Sequence, residues 1–233
     1  MMGMAYAVLT RDSASAAAYA ALLEPLGLEV VAMPVTRYES TGATLDTTCD
    51  FIVVASPRAA QELSRAQPPS GEVWAIGSAT QRALGDIAAI VPDNVHDGRE
   101  LAHALAPRVR GKRVLLPRAE EGRPETREIL RAAGAEVVDV IAYRTVPVAA
   151  DSPDLARGLE LLRGDGAAVC AVFAPSQVEA LFALVAPRAA IVAIGETTAA
   201  ALRARGVSAV AVAPTPTPEG IAIAVASVYP RRT

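Results

Sequence analysis

Histidine, lysine and cysteine are nearly missing from this chain of 233 residues. The two histidines, His96 and His103, have no triad residues around them, and Lys112 is the one lysine. Two thiols, Cys49 and Cys170, can build neither a disulfide framework nor a metal site alone, and beside apolar runs they read as buried and inert. No Gly-x-x-x-x-Gly-Lys loop occurs, and no Gly-x-Gly-x-x-Gly opens a helix after the first strand-like run, so a nucleotide cofactor has no anchor. No apolar run approaches the roughly eighteen residues of a membrane span. The opening residues lack a basic stretch and meet Arg11 and Asp12 too early for a secretory signal, so a cytoplasmic location is expected. A net charge of −3, with both signs spread along the chain, favours neither nucleic acid nor an anionic membrane as partner.

What the chain does have is apolar surface: 52% hydrophobic residues against 20% charged, enough to offset the entropy of ordering a globular protein. It also repeats itself. Val8-Leu9-Thr10-Arg11 matches Leu115-Leu116-Pro117-Arg118, Glu29-Val30-Val31 matches Glu136-Val137-Val138, and Arg37 matches Arg144, all at one offset. At a second constant offset Ala55-Ser56-Pro57 matches Phe173-Ala174-Pro175, and Ala75-Ile76-Gly77-Ser78-Ala79-Thr80 matches Ala193-Ile194-Gly195-Glu196-Thr197-Thr198. The period is domain-sized, which means a duplicated unit and not a solenoid. Within each copy short β-branched runs alternate with alanine- and leucine-rich stretches of helical length, the pattern of βα units around a parallel sheet. The runs fall at 5–9, 29–32, 51–55, 73–76 and 90–91, then at 113–116, 136–141, 169–173, 191–194 and 209–212. Helices at 15–26 and 126–133 end at Gly27 and Gly134, natural left-handed caps.

In open α/β sheets ligands bind beyond the carboxyl ends of the strands. After the first strand of each copy stand Arg11 and Arg118, guanidinium forks able to hold a carboxylate, or equally solvated surface arginines. After the third come Ser56-Pro57 and Ala174-Pro175-Ser176; helix capping alone also explains Ser56. After the fourth come Gly77-Ser78-Ala79-Thr80 and Gly195-Glu196-Thr197-Thr198, where free amides and hydroxyls at a helix start suit carboxylates. Asp97-Gly98-Arg99-Glu100-Leu101 and Thr217-Pro218-Glu219-Gly220-Ile221 read as structural helix starts.

Taken in order, these segments resemble uroporphyrinogen-III synthase over essentially the whole chain. The likeness runs from Val8-Leu9-Thr10-Arg11 through Ala55-Ser56-Pro57-Arg58-Ala59, Val114-Leu115-Leu116-Pro117-Arg118 and Tyr143-Arg144-Thr145-Val146 to Ala193-Ile194-Gly195-Glu196-Thr197-Thr198. The resemblance implies an α/β protein of two similar lobes, each a roughly five-stranded parallel sheet flanked by helices, joined by a two-stranded linker ladder. One lobe would join 1–34 to 149–233, the other would be 40–143, and 35–39 and 144–148 would be the linkers. It implies cyclisation of hydroxymethylbilane to uroporphyrinogen III, with inversion of the terminal ring, loss of water and no cofactor or metal. Tyr143 would assist the leaving hydroxyl. Arg11, Ser56, Thr80, Arg118, Ser176, Thr197 and Thr198 would receive the substrate's carboxylates. The expected form is a monomer in transient contact with the preceding pathway enzyme, without nucleic-acid or membrane partners. Ala174 departs from the family pattern, which has a hydroxyl there, and motivates the competing reading of a catalytically silent relative acting as a sensor or interaction domain.

Overall fold

A computed structural model describes residues 5–229; the chain ends 1–4 and 230–233, expected in the first lobe, lie outside the described residues. The chain divides into two compact units, one reaching to Arg37 and resuming at Val146, the other Tyr38–Thr145. It opens with β1 (Ala5–Leu9), α1 (Ser13–Leu23), β2 (Leu28–Ala32) and β3 (Thr36–Ser40). The second unit continues with β4 (Phe51–Val54), α2 (Pro57–Ser64), β5 (Glu72–Ala75), α3 (Gly77–Leu84), β6 (Ala89–Ile90) and α4 (Gly98–Leu105). Then follow β7 (Arg113–Ala119), α5 (Glu125–Ala132) and β8 (Glu136–Pro147). The return to the first unit brings α6 (Pro153–Arg163), β9 (Ala167–Val172), α7 (Pro175–Leu184), β10 (Ala190–Ala193), α8 (Glu196–Ala204), β11 (Ala211–Val212) and α9 (Pro218–Val228).

The first sheet has the order β2-β1-β9-β10-β11, every pairing parallel. The second has the order β3-β8-β7-β4-β5-β6 and is parallel from β8 to β6. Its edge strand β3 runs against β8, with the Thr41 amide donating to the Ala142 carbonyl at 3.1 Å. When β7 and β8 are matched to β1 and β2, and β4, β5 and β6 to β9, β10 and β11, the two parallel sheets have one and the same strand order. That correspondence is the pair of sequence offsets made visible. In each unit the order reverses beside the first repeat strand, between β1 and β9 and between β7 and β4, and such a reversal opens a crevice at the strand ends.

Both sheets are buried on two faces, which explains the near-continuous apolar strands. Successive residues alternate between the two covers: Ala7 and Leu9 pack with Tyr19 of α1 and Val225 of α9, while Val8 packs with Leu155 of α6 and Leu181 of α7. In β4, Ile52 and Val54 meet Ala60 and Leu63 of α2, and Phe51 and Val53 meet Leu101 of α4 and Leu130 of α5. Gly27 (φ 82°) and Gly134 (φ 89°) end the preceding helical segments in the left-handed region. One element is longer than its sequence pattern indicates. The run at 136–141 and the linker predicted at 144–148, as far as Pro147, are one continuous strand of 12 residues, because β3 supplies hydrogen bonds along its outer side. A register shift between Arg118 and Ala119 brings Ala119 opposite Tyr143. Among the described residues no helix is long and apolar enough to cross a membrane.

Candidate active site

The crevice of the second unit is a cavity of about 460 Å³. Its walls are the ends of β4 (Ala55, Ser56) and β7 (Arg118, Ala119), the start of α4 (Asp97 to Arg99), the approach to α5 (Gly122 to Thr126), and Tyr143 of β8. Three helices therefore begin at it: α2, α4 and α5. Ser56 Oγ caps α2, accepting from the Ala59 amide at 3.1 Å, and Asp97 Oδ1 caps α4, accepting from the Glu100 amide at 2.8 Å. That amide hydrogen bond holds the Asp97 carboxyl below its ordinary value. No side chain caps α5. Converging helix starts present amide N–H groups and positive dipole ends, the setting that accepts carboxylates.

Tyr143 is 8% exposed, and its hydroxyl lies 2.9 Å from Ser56 Oγ. Tyr38 meets its ring edge-on, with centroids 5.8 Å apart, and Arg58 stacks over Tyr38 at 4.5 Å. Burial pushes the Tyr143 phenol up from 10.0, opposed by the hydrogen bond with Ser56. The group is thus a neutral phenol at pH 7, able to donate.

Arg118 lines the same cavity with its fork occupied: Nε donates to Asp139 Oδ1 at 2.6 Å and Nη2 to Oδ2 at 3.1 Å. Its Nη1 reaches the carbonyls of Ala119 and Glu120. Arg127 also donates to Asp139, at 2.9 Å, so two guanidinium groups share one carboxylate and leave a net positive charge at the wall. Arg99 and Arg123 add to it, against Asp97 and Glu125.

The corresponding crevice of the first unit is built otherwise. Gln177 Oε1 accepts from the Phe173 amide at 3.0 Å and lies 2.7 Å from Thr10 Oγ1, tying the ends of β1 and β9 together. Arg11 lies over the rings of Phe173 (4.5 Å) and Tyr19 (5.6 Å). Ala174 occupies the position of Ser56, and α7 starts without a side-chain cap.

Of the residues singled out from sequence, Ser56, Arg118 and Tyr143 come together at one cavity. Thr80 and Thr198 are buried beneath their helix starts, at 3% and 1% exposure. Ser176 is half-buried and Thr197 exposed, both in the first unit with Arg11. The cavity also takes in Asp97 and Arg99, which read as a structural helix start, and Arg123 and Thr126, which carry no motif. Asp139 had a readable signal: a carboxylate inside the apolar run Val137-Val138-Asp139-Val140 demands a partner. Gln177 had none.

Residues 17–222 match the model of the family described as uroporphyrinogen-III synthase HemD. Among solved structures, the uroporphyrinogen-III synthetase of Helicobacter pylori aligns with a TM-score of 0.65 at 16% identity, over 96% of this chain and 99% of its own. A mutant uroporphyrinogen III synthase from the extremely thermophilic bacterium Thermus thermophilus aligns with a TM-score of 0.50 at 22% identity, over 94% and 96%. At these identities both likenesses speak for the fold. No curated protein sequence matches the chain.

Proposed function

The chain belongs to the uroporphyrinogen-III synthase family, and from that premise we infer that it cyclises hydroxymethylbilane to uroporphyrinogen III, with the second unit's cavity holding the reacting end of the bilane. The reaction is a cyclising dehydration. The pyrrole nitrogen lone pair expels the terminal hydroxyl as its C–O bond breaks, so the enzyme's task is to fold the bilane and to stabilise charge.

Tyr143 is the group we assign to the leaving hydroxyl, and the observation that carries the assignment is its position. A buried phenol opens on the cavity where three helices start and Arg118 stands at the wall. The phenol donates to the departing oxygen, while the helix starts and the arginine wall receive carboxylates of the same substrate. In the first unit, Arg11, Ser176 and Thr197 are proposed as that unit's own carboxylate ligands. The same reading includes a cytoplasmic monomer without a nucleic-acid partner.

The test supplies fresh hydroxymethylbilane with and without the protein, oxidises the product and separates the uroporphyrin isomers. Isomer III that depends on the protein is the expected result. Tyr143→Phe is expected to lower kcat about 10- to 100-fold, with a smaller effect on KM. Isomer I alone, from folded protein, would overturn the reading and return the silent-relative alternative that Ala174 motivates.

A further inference from the structure

We infer that Ser56 is a positioning residue for Tyr143, its hydroxyl turning to donate to the phenolic oxygen as that oxygen gives up its proton. This rests on the reading of Tyr143 given above and adds a residue to it.

The geometry leaves the two hydroxyls little other choice. Ser56 has extended backbone (φ −157°, ψ 153°) at the start of α2, and its Oγ is held from one side by the Ala59 amide at 3.1 Å. That bond takes one lone pair and fixes the oxygen, while the O–H remains free to rotate about Cβ–Oγ. Tyr143 is fixed as well, buried on β8 and braced edge-on by Tyr38. Two oxygens 2.9 Å apart are therefore set by the frame, and only the hydrogens between them can be reassigned. Arg58, the cation of this cluster, lies over the ring of Tyr38, so Ser56 is the hydrogen-bond partner of the phenolic oxygen among the described residues.

The duplication supplies an internal comparison. In the first unit the same helix start carries Ala174, and α7 forms without a side-chain cap. By the sequence offset, the residue of the first unit that corresponds to Tyr143 is Thr36. A hydroxyl is thus dispensable for starting this helix, and it is present in the unit whose strand brings a tyrosine to it.

The proton inventory closes. When the C–O bond breaks, its electron pair leaves with oxygen, and the Tyr143 proton completes a water molecule. The pyrrole nitrogen takes the positive charge. The phenolic oxygen gains negative charge in a buried setting, where a donor is needed. Ser56 O–H supplies it, and an amide-bound hydroxyl is the stronger donor for being an acceptor. When the new C–C bond forms, the proton lost as the last pyrrole regains aromaticity restores the phenol.

The experiment compares kcat and KM for isomer III formation in the wild type, Ser56→Gly, Ser56→Thr, Tyr143→Phe and the double variant Ser56→Gly/Tyr143→Phe, with thermal unfolding of each. Glycine is tolerated at helix starts, so it removes the hydroxyl while keeping α2. Ser56→Gly is expected to lower kcat about tenfold with KM held within about twofold. Ser56→Thr restores most of the rate, and Ser56→Gly adds no further loss to Tyr143→Phe. An unchanged kcat in Ser56→Gly, a rise confined to KM, or a full further loss in the double variant would overturn the inference while the synthase reading stood. A wild type that makes no isomer III would remove both.

Discussion

Asp139 is the carboxylate on which the cavity wall depends. Burial pushes its carboxyl up, and the hydrogen bonds from Arg118 and Arg127 outweigh that push and hold it below the ordinary 3.8. The sign of the pH effect follows. A folded-state value below the unfolded one contributes stability that is present above 3.8 and lost as pH falls through the lower folded value. Asp139→Asn leaves two guanidinium groups without their anion and is expected to cost the second unit about 1–3 kcal/mol at pH 7. That difference should vanish at a pH well below 3.8. Urea unfolding followed through the one tryptophan, Trp74, reads this unit directly, since Trp74 is buried in β5. A loss of equal size at acid pH would refute the account. The residue scale is also where the sequence was hardest to read. Ser56, Arg118 and Tyr143 could be singled out because strand ends are where ligands go. Asp97 and Arg99 could not, because a helix start has the same residue chemistry whether it faces solvent or a ligand. Gln177 makes one local bond, from the Phe173 amide four residues back, and one distant bond, from Thr10; only the distant one lies beyond a local pattern.

Elements were far more legible. The short β-branched runs and the two offsets placed the parallel strands to within a few residues, since a strand buried on two faces tolerates few polar residues. The continuation of β8 through Tyr143 to Pro147 was the exception, because it owes its length to β3, a partner distant in sequence. Packing between elements makes its own prediction in α6. A Cβ added at Gly158 would come within 2.4 Å of Met33 Sδ and 2.8 Å of Met33 Cβ. The sulfur could swing aside, but the Cβ is tied to the backbone. Alanine gains about 1 kcal/mol of helix propensity over glycine, and overpacking costs about 1–3 kcal/mol, so the steric term prevails. Gly158→Ala is expected to destabilise the first unit by up to about 2 kcal/mol. Far-UV circular dichroism should register the loss while the Trp74 transition keeps its midpoint. A gain in stability would mean that Met33 repacks freely.

At the scale of the molecule, each unit carries two apolar layers of its own, one on either face of its sheet. Two such bodies need not unfold as one. Denaturation of the wild type is expected to show two steps by circular dichroism and one by Trp74 fluorescence, and coincident single transitions from both probes would contradict it. The duplication explains the shared strand order but not its threading, because the second copy's β7 and β8 complete a sheet begun by β4, β5 and β6. This threading also sets a timetable on the ribosome. The nascent chain delivers every strand from β4 to β8 in one stretch, so the second unit can close its sheet while synthesis is still under way. The first unit cannot. β1 leaves the tunnel early but belongs between β2 and β9, and β9 follows only after the whole of the second unit. Throughout that interval one edge of β1 has no partner, and its apolar residues must be kept from finding a wrong one. Translation that stalls once β8 has cleared the tunnel but before β9 has would thus leave a finished second unit tethered to an unfinished first, a species prone to capture by chaperones or to aggregation.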